Sequence, residues 1–246
     1  MNKMLLNCDL GEHYGSWTMG PDELVMPFID QANIACGFHA GDPLTISKTL
    51  ALAKQHSVTV GAHPAYPDLV GFGRRSMNMT AAELTASLLY QISALDGMAA
   101  CNGQRLHYVK PHGALYNDMM RDTAIRATIM RPIGNYHQPL ALMLQATPHA
   151  DEHKSEADEH GIDVLFEAFA DRCYDNDGAL LARSKMGAVH NREKMLAQVA
   201  QIRDSGSITT LDGKCLQLRV DTLCVHGDNA EGVAAIETIR ALVDGE

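Results

Sequence analysis

Short apolar runs alternate with longer amphipathic segments along most of the chain. Seven runs have the length and composition of buried strands, and they cover residues 4–8, 32–37, 58–62, 106–110, 140–145, 164–168 and 222–226. Segments with helical patterning lie between them, at residues 43–56, 81–100, 118–130, 188–203 and 230–243. Strands that alternate with helices predict a parallel sheet.

Local signals refine this pattern. Thr80 followed by Glu83 is the sequence of a capping box and predicts that a helix begins directly after Thr80. Residues 208–211 and 215–220, joined through an Asp-Gly pair, predict a small β-hairpin inserted before the last strand. We therefore expect a single α/β domain over residues 1–246, an incomplete (β/α)7 barrel with one hairpin, rather than an open doubly wound sheet.

Composition narrows the class of partner. The 246 residues are 46% hydrophobic and 20% charged, which is typical of a folded globular chain. The formal net charge of −10 disfavours nucleic acid and anionic membranes, and no run approaches the roughly 18 apolar residues of a membrane span. The six cysteines form no C-x-x-C pair, so we expect reduced thiols and a cytoplasmic protein that acts on a small molecule or binds another protein.

Ionisable side chains follow six of the seven predicted strands. Because the carboxyl ends of barrel strands open on one face, these side chains should converge there. The set comprises His39, His63, His112, His226, Asp9, Glu12, Asp42, Glu167, Asp171, Asp228 and Lys110. Imidazoles and carboxylates serve general acid–base chemistry and also bind divalent metals, so residue type leaves both chemistries open.

Three cationic side chains have alternative interpretations. Lys110 could stabilise an oxyanion or a phosphate, or it could form a buried ion pair with Asp9 or Glu167. Arg74 and Arg75 follow a Gly-Phe-Gly sequence and could clamp a carboxylate or phosphate, or they could be a solvated basic pair.

Several catalytic motifs are missing from the sequence. It contains no P-loop, no dinucleotide-binding G-x-G-x-x-G after a strand, no G-x-S-x-G elbow and no H-E-x-x-H. His149 and His153 have helical spacing, but the acidic residues around them predict a solvated segment rather than a metal site. A P-loop ATPase, a Rossmann dehydrogenase and a serine hydrolase are therefore disfavoured.

Seven sequence strings resemble the LamB/YcsF family. They are N-C-D-L-G-E at 7–12, A-N-I-A-C-G-F-H-A-G-D-P at 32–43, G-A-H-P at 61–64, G-F-G-R-R at 71–75, V-K-P-H-G-A-L-Y-N at 109–117, E-A-F-A-D-R at 167–172 and C-V-H-G-D at 224–228. They occur in the family's order along nearly the whole chain. Ala65 and Gln31 depart from the family's usual small residues, and residues 130–160 match it weakly.

This resemblance implies a (β/α)7 barrel similar to glycoside hydrolase and deacetylase folds. It also implies an ATP-dependent 5-oxoprolinase, which opens the lactam of 5-oxo-L-proline to L-glutamate with Mg-ATP. In such a complex the member of this family is the A subunit, which operates with separate B and C subunits. Two alternatives stay open: a metal-dependent deacetylase or amidohydrolase on a similar barrel, and a non-catalytic subunit that binds the lactam.

The strand-end residues divide into two predicted groups. The catalytic group is His112, Lys110, His63, Asp9 and Glu167, with His112 or His63 as general base and Lys110 as oxyanion or phosphate stabiliser. The group that binds substrate or phosphate is Glu12, His39, Arg74, Arg75, Asp171, Arg172, His226 and Asp228. Any metal would have its ligands among Asp9, His39, His63 and His226, but these lack a local ligand motif, so we expect none.

Overall fold

The computed structural model describes residues 4–183, 185–227 and 229–245. The strands are β1 (Leu5–Leu10), β2 (Gln31–Ala35), β3 (Thr59–His63), β4 (Leu106–Val109), β5 (Ala141–Gln145), β6 (Val164–Phe169), β7 (Ser207–Thr209), β8 (Cys215–Gln217) and β9 (Thr222–His226). Seven of them form a closed parallel barrel in the order β1-β2-β3-β4-β5-β6-β9. The predicted seven-stranded α/β barrel is confirmed.

Strand β9 closes the barrel because it pairs with both β1 and β6. Its pairing with β1 places His226 opposite Asp9, and its pairing with β6 places Thr222 opposite Glu167. Residues that are distant in sequence therefore become neighbours across the closing strands.

Helices surround the barrel and follow most of its strands. They are α1 (Asp22–Val25), α2 (Pro43–Gln55), α3 (Ala81–Cys101), α4 (Gly113–Arg121), α5 (Thr123–Gly134), α6 (Ala150–Glu159), α7 (Arg192–Ser205), α8 (Ala230–Ala234) and α9 (Ile236–Asp244), with a 3₁₀ turn at Met26–Phe28. The capping box at Thr80 is present, since its hydroxyl accepts from the Glu83 N–H and the Glu83 carboxylate accepts from the Thr80 N–H. Of the helices in the described ranges, none is both long and apolar enough to cross a membrane.

Three helix boundaries differ from the sequence-based expectation. The segment 118–130 is divided between α4 and α5, because Asp122 is extended and its carboxylate caps α5. Helix α7 begins at Arg192 rather than at residue 188, since the Asn191 side chain caps it. The segment 230–243 is broken at Ala235, which separates α8 from α9.

The predicted hairpin is present as β7 and β8, with Ser207 paired to Gln217. Its connection is longer than a two-residue turn. The Thr210 N–H donates to the Lys214 carbonyl, and the Lys214 N–H donates to the Thr210 hydroxyl, so residues 210–214 form one closed loop.

The barrel interior is partly polar below the site. Asn7 donates to the Thr222 hydroxyl at 2.9 Å, Asn33 donates to Asn7 at 2.8 Å, and the Tyr108 hydroxyl donates to Asn33 at 2.7 Å. Gly61 leaves the space for the Tyr108 ring, since a Cβ there would lie 2.2 Å from the ring. These hydrogen bonds satisfy groups that would otherwise be costly to bury.

Candidate active site

A cavity of about 340 Å³ opens at the carboxyl ends of the barrel strands. This is the face on which barrel enzymes place their chemistry. Its lining includes Asp9, Glu12, His63, Arg74, Lys110, His112, Tyr116, Asn117, Asp118, Arg121, Phe169, Arg172, Arg183 and His226. Many of the residues predicted from strand ends are thus brought together around one space.

Lys110 lies on the cavity floor between two carboxylates and is 2% exposed. Its ammonium is 2.7 Å from Asp9 Oδ1 and 2.7 Å from Glu167 Oε1, while the Tyr116 hydroxyl donates to Glu167 Oε2 at 3.0 Å. Burial by itself lowers the pKa of Lys110, but the negative charges around it raise that pKa well above its ordinary value. Lys110 is therefore a fixed cation.

Asp9 is held as an anion on the same floor. Its Oδ1 accepts from Lys110 and from Asn33 Nδ2 at 2.7 Å, and its Oδ2 lies 3.5 Å from His63 Nε2. Burial acts to raise the pKa of this carboxyl, yet the charges of His63 and Lys110 bring it well below its usual range.

Three histidines and Glu12 form a second group beside this ion pair. His39 Nε2 lies 2.9 Å from Glu12 Oε1, and His112 Nδ1 lies 3.0 Å from His63 Nε2. The rings of His39 and His112 stack with their centroids 3.7 Å apart. Burial lowers the pKa of both His39 and His112 well below the ordinary value, which keeps these imidazoles neutral.

His226 is oriented by a carboxylate on the opposite side of the cavity. Its Nδ1 lies 2.9 Å from Asp171 Oδ1, and the other oxygen of Asp171 accepts from Asn229 Nδ2 at 2.8 Å. The ring also stacks on Phe169 at 5.4 Å. Burial opposes ionisation of Asp171, but the charge and hydrogen bond of His226 lower its pKa below the ordinary value. This is the arrangement that orients a general base.

Arginines form much of the cavity wall, at positions 74, 121, 172 and 183. The Arg172 side chain donates to the carbonyls of Leu181 and Ala188, which fixes its position, and burial lowers its pKa from the ordinary value. The guanidinium of Arg74 lies 4.9 Å from the centre of the Phe72 ring. A wall rich in arginine favours an anionic ligand, although the chain as a whole is acidic.

Five predicted residues do not line the cavity. His39, Glu167 and Asp171 lie behind Glu12, Lys110 and His226 respectively, as the partners of those residues. Arg75 instead forms an ion pair with Asp68. Asp228 is outside the described residues.

Other predictions about histidines are partly corrected. His149 is exposed as expected, but His153 is buried on α6. The four side chains that approach one another with the spacing of metal ligands are Glu12, His39, His63 and His112. Asp9 and His226, which were candidate ligands, are instead engaged by Lys110 and Asp171.

Sequence reasoning missed several residues of the site. Arg183 belongs to the long connection after β6, where no strand end marks it. Tyr116 lies one helical turn after His112, and this spacing was a signal that could have placed it near the site. Asn33 lies within β2, so its support of Asp9 depends on the barrel register.

The fold and the site together define a parallel α/β barrel with a buried acid–base centre at the carboxyl ends of its strands. The model of the LamB/YcsF family matches residues 4–246, and the chain belongs to this family. It is 54% identical over 241 residues to the A subunit of the 5-oxoprolinase from Pseudomonas fluorescens strain Pf0-1, with 98% of this chain and 96% of that protein covered.

Two further relatives extend this comparison. The 5-oxoprolinase A subunit of Vibrio vulnificus strain CMCP6 is 51% identical over 246 residues, with 99% of each chain covered. The crystal structure of the lactam utilization protein from Thermus thermophilus superposes with a TM-score of 0.89 at 38% identity, covering 99% of this chain and 96% of that one.

Proposed function

We propose that this chain is the A subunit of an ATP-dependent 5-oxoprolinase, which hydrolyses the lactam of 5-oxo-L-proline to L-glutamate. The observation that carries the proposal is its similarity, over nearly its full length, to curated proteins that bear the name of this 5-oxoprolinase component. The free state of all six cysteines supports a cytoplasmic location.

The cavity suits a small anionic lactam. Its volume of about 340 Å³ is near the lower end of the range for small-molecule sites. 5-Oxoproline carries one carboxylate, and Arg74, Arg172 and Arg183 line the wall where a carboxylate or a phosphate would bind. The ring would then extend toward Lys110 and His226 on the inner surface.

The reaction needs activation of a stabilised amide. Transfer of a phosphoryl group from Mg-ATP to the lactam oxygen makes the ring carbon open to attack by water. Lys110 is the group that stabilises negative charge on that oxygen, because Asp9 and Glu167 hold its ammonium in place.

The hydrogen bonds favour His226 as the general base. His63 and His112 each use both ring nitrogens within the floor. His226 has Nδ1 engaged by Asp171, and within the described residues no hydrogen bond is formed by Nε2. We therefore assign water activation to His226 rather than to His112 or His63, the bases expected from the sequence.

ATP coupling is assigned to the complex rather than to this chain alone. The sequence lacks a P-loop. The relatives are named as one lettered component of 5-oxoprolinase, which supports a requirement for further components, and we take these to be the B and C subunits. The arginine wall would hold the phosphorylated lactam while water attacks it.

The test measures glutamate and ADP formed from 5-oxoproline and ATP by the purified chain, alone and mixed with the B and C subunits. We expect coupled turnover only in the mixture, and a loss of at least about a hundredfold when the mixture contains His226→Ala. The exposed His149→Ala is the matched control and should retain wild-type turnover. Coupled turnover by the chain alone, or full activity of the His226→Ala complex, contradicts the proposal.

The same assay separates the two alternatives. A metal-dependent deacetylase is favoured by the cluster of Glu12, His39, His63 and His112, and it would cleave acetylated amides without ATP. A non-catalytic lactam-binding subunit would bind 5-oxoproline, but substitutions at Lys110 and His226 would change turnover only in proportion to that binding.

A further inference from the structure

Four side chains converge on one side of the cavity floor. Glu12 Oε1 lies 2.9 Å from His39 Nε2, 3.3 Å from His112 Nδ1 and 3.9 Å from His63 Nε2. The fourth short distance, 3.0 Å, joins His63 Nε2 to His112 Nδ1. All four residues are buried, and their ligand-type atoms lie within 4.8 Å of one another.

Backbone carbonyls determine which nitrogens carry hydrogen. A carbonyl oxygen can only accept, so His63 Nδ1–H donates to the Lys110 carbonyl at 2.7 Å, and His112 Nε2–H donates to the Phe72 carbonyl at 2.9 Å. The remaining nitrogens, His63 Nε2 and His112 Nδ1, consequently direct their lone pairs toward each other and toward Glu12. Backbone carbonyls orient the histidine ligands of metal ions in the same way.

The distances match a metal coordination shell better than a hydrogen-bond network. Zinc–ligand bonds of about 2.0–2.1 Å place neighbouring ligand atoms of a tetrahedron about 3.3 Å apart, and the four distances here lie around that value. One proton shared by His63 and His112 would satisfy two of these atoms, but it would leave the short contact between Glu12 and His112 without a strong bond.

Charge balance on the floor also favours a cation. The carboxylates of Asp9, Glu12 and Glu167 are close to the ammonium of Lys110, whose single charge offsets only one of them. A divalent ion beside Glu12 offsets the other two. The second cluster with ligand spacing, Asp9 with Cys224 and His226, needs no such ion, because the Lys110 ammonium already lies 3.4 Å from Cys224 Sγ and contacts Asp9.

The loop after β3 is shaped to cover this cluster. Phe72, which provides the carbonyl for His112, has a φ of 53°, a strained value for a residue with a side chain. At Gly73, a Cβ would lie 2.9 Å from both the His112 ring and His39 Cβ. The backbone strain and the required glycine both hold the imidazoles in this arrangement.

We propose that Glu12, His39, His63 and His112 bind one divalent transition-metal ion in a tetrahedral site at the base of the cavity. Three imidazoles and one carboxylate are a donor set that suits zinc, and magnesium and calcium are disfavoured because they prefer oxygen ligands. The ion lies beside the Lys110–Asp9 pair, so it adds a second fixed positive charge to the catalytic floor.

The experiment measures metal directly. The purified chain is stripped with a chelator and reloaded with zinc, and bound metal is determined by elemental analysis; we expect about one ion per chain. Cobalt(II) in the same site should give the visible absorption of a tetrahedral centre. The variants Glu12→Gln and His39→Ala should each lower zinc affinity at least about tenfold, whereas His226→Ala and the buried His153→Ala should not.

Folding of each variant is checked separately by its circular dichroism. Zinc should raise the melting temperature of the stripped wild-type chain and should leave that of the Glu12→Gln variant unchanged. Zinc content that stays well below one ion per chain after reloading, or equal affinity in Glu12→Gln and wild type, overturns the proposal in favour of a shared proton. Metal binding is independent of the proposed function: a metal-free chain that supports 5-oxoproline turnover rejects only the metal site, and a zinc-loaded chain without such turnover rejects only the function.

Discussion

Replacing Lys110 by Met tests the centre of the proposed site. The substitution keeps a side chain of similar length but removes the ammonium that lies 2.7 Å from both Asp9 and Glu167. Two carboxylates then share a buried floor without their cation. Breaking a buried ion pair by removing one partner costs about 3–5 kcal/mol, which is a large part of the roughly 5–15 kcal/mol that stabilises a domain.

The effect on turnover should be separable from the effect on stability. In the complete complex, Lys110→Met should lower glutamate formation at least about a hundredfold, the scale expected for loss of one electrostatic stabiliser. The double variant Lys110→Met/Glu167→Gln removes one of the uncompensated carboxylates. It should therefore recover part of the free energy of unfolding lost in the single variant, but none of the turnover.

Urea unfolding of the isolated chain and glutamate formation by the complex are the two measurements. Wild-type turnover of Lys110→Met would refute a chemical role for the ammonium. Recovery of turnover together with stability in the double variant would show that Lys110 serves only to hold the floor together.

Two further predictions follow from the neighbouring histidines. Asp171→Ala should lower turnover at least about a hundredfold while the substrate KM changes little, since it leaves His226 without the partner that orients it; an unchanged kcat would count against the dyad. His149→Ala should keep turnover and unfolding midpoint near wild type, because surface changes are usually mild. His153→Ala should lower the free energy of unfolding by about 1–3 kcal/mol without changing turnover beyond about twofold, and a large loss of turnover would show that α6 is coupled to the site.

The barrel and the general location of the site were accessible from sequence because both depend on local patterns. Apolar runs marked the strands, and the residues that follow them had to emerge on one face once the strands were parallel. Lys110, His63 and Asp9 were identified in this way, and the structure brings all three to the cavity floor.

What sequence patterns did not supply were the partners of each side chain. The engagement of His63 and His112 with backbone carbonyls depends on the path of loops that carry no periodic signal. The placement of Arg183 depends on how the connection after β6 folds back over the cavity. For the same reason the sequence favours His112 as general base, although both of its nitrogens are engaged, over His226.

The distribution of charge also determines how a substrate would enter. Lys110 is balanced by two carboxylates, so it attracts an incoming anion only weakly at long range, whereas several arginines of the wall surround the same cavity and add their fields there. A carboxylate or phosphate would therefore be held first by arginine, and the uncharged part of the ligand would extend inward. Lys110 then acts only when negative charge develops on the ligand, which is the condition under which a preorganised cation accelerates a reaction rather than merely tightening binding.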